Sequence, residues 1–189
     1  MKNLFYLVIA VLLMGGCTYK NEAMNLPSYK ADYAGAVATD KKSVFVSVIK
    51  DMRKDKRSVG YVLDDGEKIA RLYSDVNFPA KYKEGLGYAL NIAGFNTDVT
   101  AENASLIMEV YIRNIEIVYN KKSFDKNLTG EIEIEVLIRR GGGEVVTQNF
   151  RQKGGKWIVK SYESKDLEPF LYSLFSDSVN DIVSRLTRY

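Results

Sequence analysis

TGEIEIEVLIR, residues 129–139, alternates without a break: Ile132, Ile134, Val136 and Ile138 fall on one parity, Glu131, Glu133 and Glu135 on the other. A period of two over this length marks a β-strand with one face buried and one facing water. The stretch therefore predicts a sheet covered on a single side. Gly141-Gly142-Gly143 follows as a hairpin turn, and Glu144 to Lys153 returns beside it. Gly154-Gly155 then introduces Trp157-Ile158-Val159, read as a last short strand. Carboxylates at two-residue spacing stand about 7 Å apart. That is wide for one cation, so the glutamates are read as a solvated sheet face and no metal ligand is assigned.

Upstream, SLIMEVYIRNIEIVYN (Ser105 to Asn120) reads as a long strand. Met108, Val110 and Ile112 share one face, but Ile115 and Ile117 have the opposite parity. The switch predicts either a β-bulge near Arg113-Asn114 or a strand that crosses between two packing environments. Ser43 to Lys50, SVFVSVIK, is apolar on both parities, the pattern of an interior strand. Asp51 to Ser58 reads as a charged loop. Val59 to Leu63 and Lys68 to Tyr73 flank Asp64-Asp65-Gly66 as a short hairpin.

Two segments carry helical periodicity. In Phe78 to Ala93, Tyr82, Leu86, Leu90 and Ala93 recur at four, four and three residues. Pro79 suits a first turn, and Gly94 stops the helix with Phe95 folding back. Gly85 and Gly87 each cost about 1 kcal/mol against Ala, which close packing on a sheet would offset. Ser164 to Tyr189 carries Leu167, Phe170, Leu171, Leu174, Phe175, Val179, Ile182, Val183 and Leu186 on one stripe. Ser164 or Asp166 can cap it, Pro169 fits its first turn, and Arg185 and Arg188 complement its dipole. Asp177 and Asp181 share its polar face, unlike a membrane-surface helix, so the stripe is expected to pack on its own sheet. The sum is an α+β fold: a two-layer sandwich, its sheet largely antiparallel, with two helices side by side on one face.

The chain has 189 residues, a net charge of +3, 46% hydrophobic and 27% charged residues, which is a globular composition. It has one cysteine and no histidine. That removes Ser-His-Asp and Cys-His catalysis, histidine-ligated zinc and haem, and disulfides. The densest basic run, Arg53, Lys54, Lys56 and Arg57, is interrupted by Asp55 and reads as a solvated loop. No nucleic-acid partner is expected. Asp51, Asp64 and Asp65 are the remaining candidates for carboxylate catalysis, but they sit in or beside turn signals where Asp serves the backbone. No catalytic residue and no cofactor are assigned.

The start, MKNLFYLVIAVLLMGGC (Met1 to Cys17), fixes location more than chemistry. Lys2 precedes an apolar run, Leu4 to Met14, that is shorter than the roughly 20 residues of a membrane-spanning helix and fits a signal-peptide core. Met14-Gly15-Gly16-Cys17 resembles the lipobox of bacterial lipoproteins. That resemblance implies cleavage before Cys17, a diacylglyceryl group on its thiol and an acylated amino group. Met14 departs from the usual Leu at that position. The alternative is an ordinary secretory signal with Cys17 a free thiol. Thr18 in place of Asp favours the outer membrane. Thr18 to Lys42 is polar, small and aperiodic, and is read as a flexible tether. The expected division is signal peptide 1–16, lipidated tether 17–42, and periplasmic domain 43–189.

The order VFVSVIKDMR, a helix ending in AGF, LIMEVYIRNIEIVY, TGEIEIEVLIRRGG and DLEPFLYSLFSDSVNDIV resembles the YajG-type family of small bacterial lipoproteins over Val44 to Leu186. The resemblance implies a non-catalytic envelope protein and supplies no catalytic residues. The expectation is a protein held at the outer membrane by the lipid on Cys17, facing the periplasm and binding another envelope protein through some of its 13 tyrosines. The alternative is an accessory in lipid or lipopolysaccharide assembly or transport.

Overall fold

The computed structural model describes residues 20–189 except 31, 41, 124, 142 and 160–162. Cys17 and its flanking junction lie outside the described residues. Among the described residues, one seven-stranded sheet carries two α-helices. Its strands are β1 (Glu22–Ala23), β2 (Val44–Asp51), β3 (Ser58–Asp64), β4 (Glu67–Tyr73), β5 (Leu106–Asn120), β6 (Leu128–Arg140) and β7 (Val145–Lys156). The helices are α1 (Phe78–Ile92) and α2 (Ser164–Leu186). The α+β sandwich expected from the sequence is the observed architecture.

β5 and β6 form the spine, paired antiparallel from Leu106–Arg140 to Tyr119–Leu128. Their inward side chains, from Met108 and Ile112 to Ile132 and Val136, are buried beneath the helices, while Glu131, Glu133 and Glu135 lie on the uncovered face. Arg113 is the extra residue of a bulge: Ile112 faces Ile134, and Asn114 faces Glu133. The parity switch read in the sequence is this bulge.

The sheet is mixed, which corrects the expectation of a largely antiparallel one. β2 and β3 both run parallel to β5 and share one of its edges end to end. β2 pairs with Leu106 to Ile112, and β3 with Ile117 to Asn120. They behave as one strand interrupted by a loop. β3 turns into antiparallel β4, and α1 then carries the chain back across the sheet, which is what lets β5 run parallel to β3. β2 is consequently not an interior strand. Its one strand neighbour is β5, and on the far side Val44 N donates to Asn96 O at 2.9 Å. The Asp65-Gly66 turn has φ of 50° and 83°, the type I′ geometry of a tight hairpin.

α1 starts at Asn77, whose side chain accepts from Ala80 N at 3.1 Å. It ends in a Schellman motif: Phe95 N donates to Leu90 O and Gly94 N to Asn91 O, at 3.0 and 3.1 Å. α2 is capped by neither Ser164 nor Asp166 alone. Glu163 is the N-cap, in a reciprocal box with Asp166. The helices lie against each other. Tyr82 meets Phe175 edge to face at 4.9 Å, and its hydroxyl is 2.7 Å from Ser178 Oγ. Gly85 packs on Phe175, Val179 and Tyr29, so its small size serves helix–helix approach, not the sheet packing expected. Gly87 faces open space.

Two further expectations are corrected. β7 runs to Lys156, and Trp157 to Val159 form no strand. Instead Ile158 exchanges backbone hydrogen bonds with the side chain of buried Asn127, at 2.7 and 2.8 Å. The stretch read as a tether is, from Asn21 onward, seated on the domain. β1 pairs parallel with β4, and Met24, Leu26, Tyr29 and Tyr33 are buried in the common core. Asn25 N donates to Glu168 and Tyr29 Oη to Asn180, both on α2.

Candidate functional site

The polar residues singled out in the sequence do not converge. Asp51 lies beside Ile112, while Asp64 follows Leu63, which lies beside Asn120. Eight residues of strand separate these rows, about 26 Å. Each aspartate has a cation: Asp64 takes Lys121 at 3.1 Å, and Asp65 takes Lys122. On the uncovered face, Glu131 is bonded by Arg151 and Lys153, Glu133 by Arg151, and Glu135 by Arg113. Partial burial works against ionisation of Glu131, but the hydrogen bonds from Arg151 and Lys153 hold its carboxyl down to about 2. The hydrogen bond to Glu131, with some desolvation, pushes Glu133 up. The three glutamates are interlocked with cations rather than open to a metal. Among the described residues no group of three or more acidic, histidine or cysteine side chains is arranged to hold one.

The most enclosed charges are Asp51 and Arg53, with side chains 7% and 5% exposed. The sequence reading placed Arg53 in a solvated loop, and the structure corrects this. The break between β2 and β3 leaves backbone carbonyls that need donors, and the guanidinium fills the gap. Its Nε and Nη2 grip Asp51 at 3.0 and 2.7 Å, Nη1 donates to Ser58 O at 2.8 Å, and Nη2 to Lys56 O at 2.7 Å. Its face lies 4.8 Å from the centre of the Phe78 ring. Every side of the fork is satisfied, so the pair is a clamp that joins two half-strands to α1 and has no spare valence for proton transfer.

Beside the clamp a groove of about 500 Å³ runs along the start of α1, lined by Ile49, Lys50, Met52, Lys56, Val76 and Phe78. Its walls are apolar and its rim cationic. Lys50 and Lys56 have no ion-pair partner among the described residues.

Tyr29, Tyr33, Tyr82 and Tyr119 are buried, and Tyr61, Tyr73, Tyr111, Tyr172 and Tyr189 are half-buried. Burial drives the Tyr82 hydroxyl pKa above its ordinary value. Among the described tyrosines Tyr88 is the exposed one. It is 51% exposed, and Ile92, one turn on, is 43% exposed. Val37 lies beside Gly94 at the same end of α1 and is also exposed. The sequence reading missed this patch, although Tyr88 and Ile92 stand off the Tyr82, Leu86, Ala89, Leu90 stripe and could have been flagged by that spacing.

No curated protein matches the chain. Among solved structures, a Xanthomonas campestris protein shares the fold, with a TM-score of 0.54, 12% identity, and coverage of 89% of this chain and 92% of that one. A Chlamydia trachomatis protein gives a TM-score of 0.46 at 10% identity, covering 78% and 97%. The profile of a family described as uncharacterized lipoprotein matches residues 34–185, most of the sandwich, and the chain belongs to that lipoprotein family.

Proposed function

We propose that this protein is a non-enzymatic bacterial envelope lipoprotein, anchored through acylated Cys17 in the outer membrane, that binds another envelope protein. The YajG-type resemblance is part of this reading. The observation that carries partner binding is the apolar patch of Tyr88, Ile92 and Val37. A tyrosine and an isoleucine left half-exposed on a helix whose other face is fully packed are what a docking surface requires. The candidate carboxylates Asp51, Asp64, Asp65, Glu131, Glu133 and Glu135, each tied to a cation and spread over the sheet, support a non-catalytic reading.

Two experiments test this. Intact mass and membrane fractionation of wild type beside Cys17→Ser should give an acylated membrane form and a soluble unmodified one. Capture from solubilised envelope should return a partner with wild type, lose it with Tyr88→Ala combined with Ile92→Ala, and keep it with Val145→Ala on β7. Equal capture by wild type and both variants would sink the assigned patch.

A second reading, lipid or lipopolysaccharide handling, is favoured by the groove beside α1 with its apolar walls and two free lysines. It expects lipid to co-purify and to be displaced when Met52 is replaced by Glu. A lipid-free native mass spectrum would count against it.

A further inference from the structure

The seated N-terminal segment has a consequence for orientation, provided that Cys17 is acylated as proposed above. Asn21 is fixed: its Oδ1 accepts from Arg71 N at 2.8 Å, and Glu22 pairs with Leu72. Three residues lie between Cys17 and Asn21, and the four steps along the chain reach at most about 14 Å. A domain of about 170 residues has a radius of gyration of roughly 15 Å and so a radius near 20 Å. The leash is shorter than the domain is deep. Whatever surface surrounds the entry to β1 must rest on the bilayer.

That surface can be named. β1 is parallel to β4, so the chain comes in from the end of the sheet that holds the Asp65-Gly66 turn. Register places Lys68 beside Leu63, Leu63 beside Asn120, and Asn120 beside Asn127, which holds Ile158. Trp157 and Val159 flank Ile158 at this end, 53% and 58% exposed, and Ile69 is exposed on β4. Lys20, Lys68, Lys126 and Lys156 are exposed here without ion-pair partners among the described residues, against Glu67 and Asp125. Asp64 and Asp65 are already neutralised by Lys121 and Lys122. Lys68 and Lys156 lie over the Tyr61 and Phe170 rings. An exposed tryptophan sharing one end of the sheet with several lysines matches the interfacial zone of an anionic bilayer, where the indole sits among headgroups and ammonium groups meet lipid phosphates.

We infer that this end of the sheet, centred on Trp157, is the membrane-facing surface of the anchored protein. The opposite end, with Tyr88 and Ile92, then points away from the bilayer. Trp157 is the one tryptophan in the chain, so it reports directly.

The test is fluorescence of the acylated full-length protein in vesicles of phosphatidylethanolamine and phosphatidylglycerol, with or without brominated acyl chains. Emission of Trp157 should fall about twofold or more with brominated lipid. The comparison is Trp157→Phe carrying Val145→Trp. Val145 pairs with Arg139, which faces Ile107, thirteen residues along β5 from Asn120 and about 40 Å away. That variant should show no quenching. An acylated, vesicle-bound protein whose Trp157 is unquenched, or whose two sites quench alike, overturns the orientation. If intact mass finds no acyl chains, the anchor itself is absent, and the orientation falls together with the reading of Cys17.

Discussion

At the scale of single residues, Arg53 shows how misleading composition is when the backbone is broken. Four basic residues in five positions look like a solvated loop, yet one of them is drawn inward because the gap between β2 and β3 exposes carbonyls that only a multi-donor side chain can satisfy together. Arg53→Ala would strand the buried carboxylate of Asp51, and should cost about 3–5 kcal/mol in urea denaturation. Two glycines make opposite predictions. Gly60 has φ of 151°, and a Cβ there would lie 1.8 Å from Ile117 O, so Gly60→Ala should destabilise severely or prevent folding. Gly87 sits in a helix with open space around it, so Gly87→Ala should stabilise by about 1 kcal/mol, read as a higher urea midpoint. Only the register of β3 against β5 separates them.

At the scale of elements, the alternation in β6, the bulge at Arg113 and the Schellman end of α1 were legible, because each is written in side-chain parity or in a local Gly signal. The parallel pairing of β2 and β3 was not. Periodicity says which face of a strand is buried and is silent about which neighbour lies beside it. The seating of residues 21–33 was hidden for a related reason: Met24, Leu26, Tyr29 and Tyr33 follow no single period, since they fill separate gaps along α2 and the sheet edge. Leu26→Ala tests that seating. A tether residue would tolerate the change, whereas a buried one should lose about 2–5 kcal/mol. The charged face of β6 and β7 makes a pH prediction. Glu131 is held at about 2 against an ordinary 4.5, so its contribution is complete above pH 4.5 and is lost as pH falls through about 2. The rise in Glu133 works the other way, through the hydrogen bond the two share. The urea midpoint of Glu131→Gln should therefore fall less steeply than wild type on acidification between these values, with a loss at neutral pH of no more than about 1 kcal/mol for so solvent-accessible a network.

At the scale of the whole molecule, the two ends of the sheet carry different exposed groups: at one, Trp157 and lysines without ion-pair partners among the described residues; at the other, Tyr88 and Ile92. The packing of residues 21–33 on α2 also reaches beyond stability. Asn25 with Glu168, Tyr29 with Asn180 and Asp32 with Ser176 join positions 143, 151 and 144 apart in the chain. Contacts of such separation close a loop nearly as long as the domain, and they form late because the entropy of that closure must be met first. β1 can pair with β4 as soon as Tyr73 is available, whereas the contacts of residues 25–32 must wait for α2. Docking of residues 25–32 therefore waits for α2, so their protection from exchange or proteolysis reports that the two ends of the described domain have met.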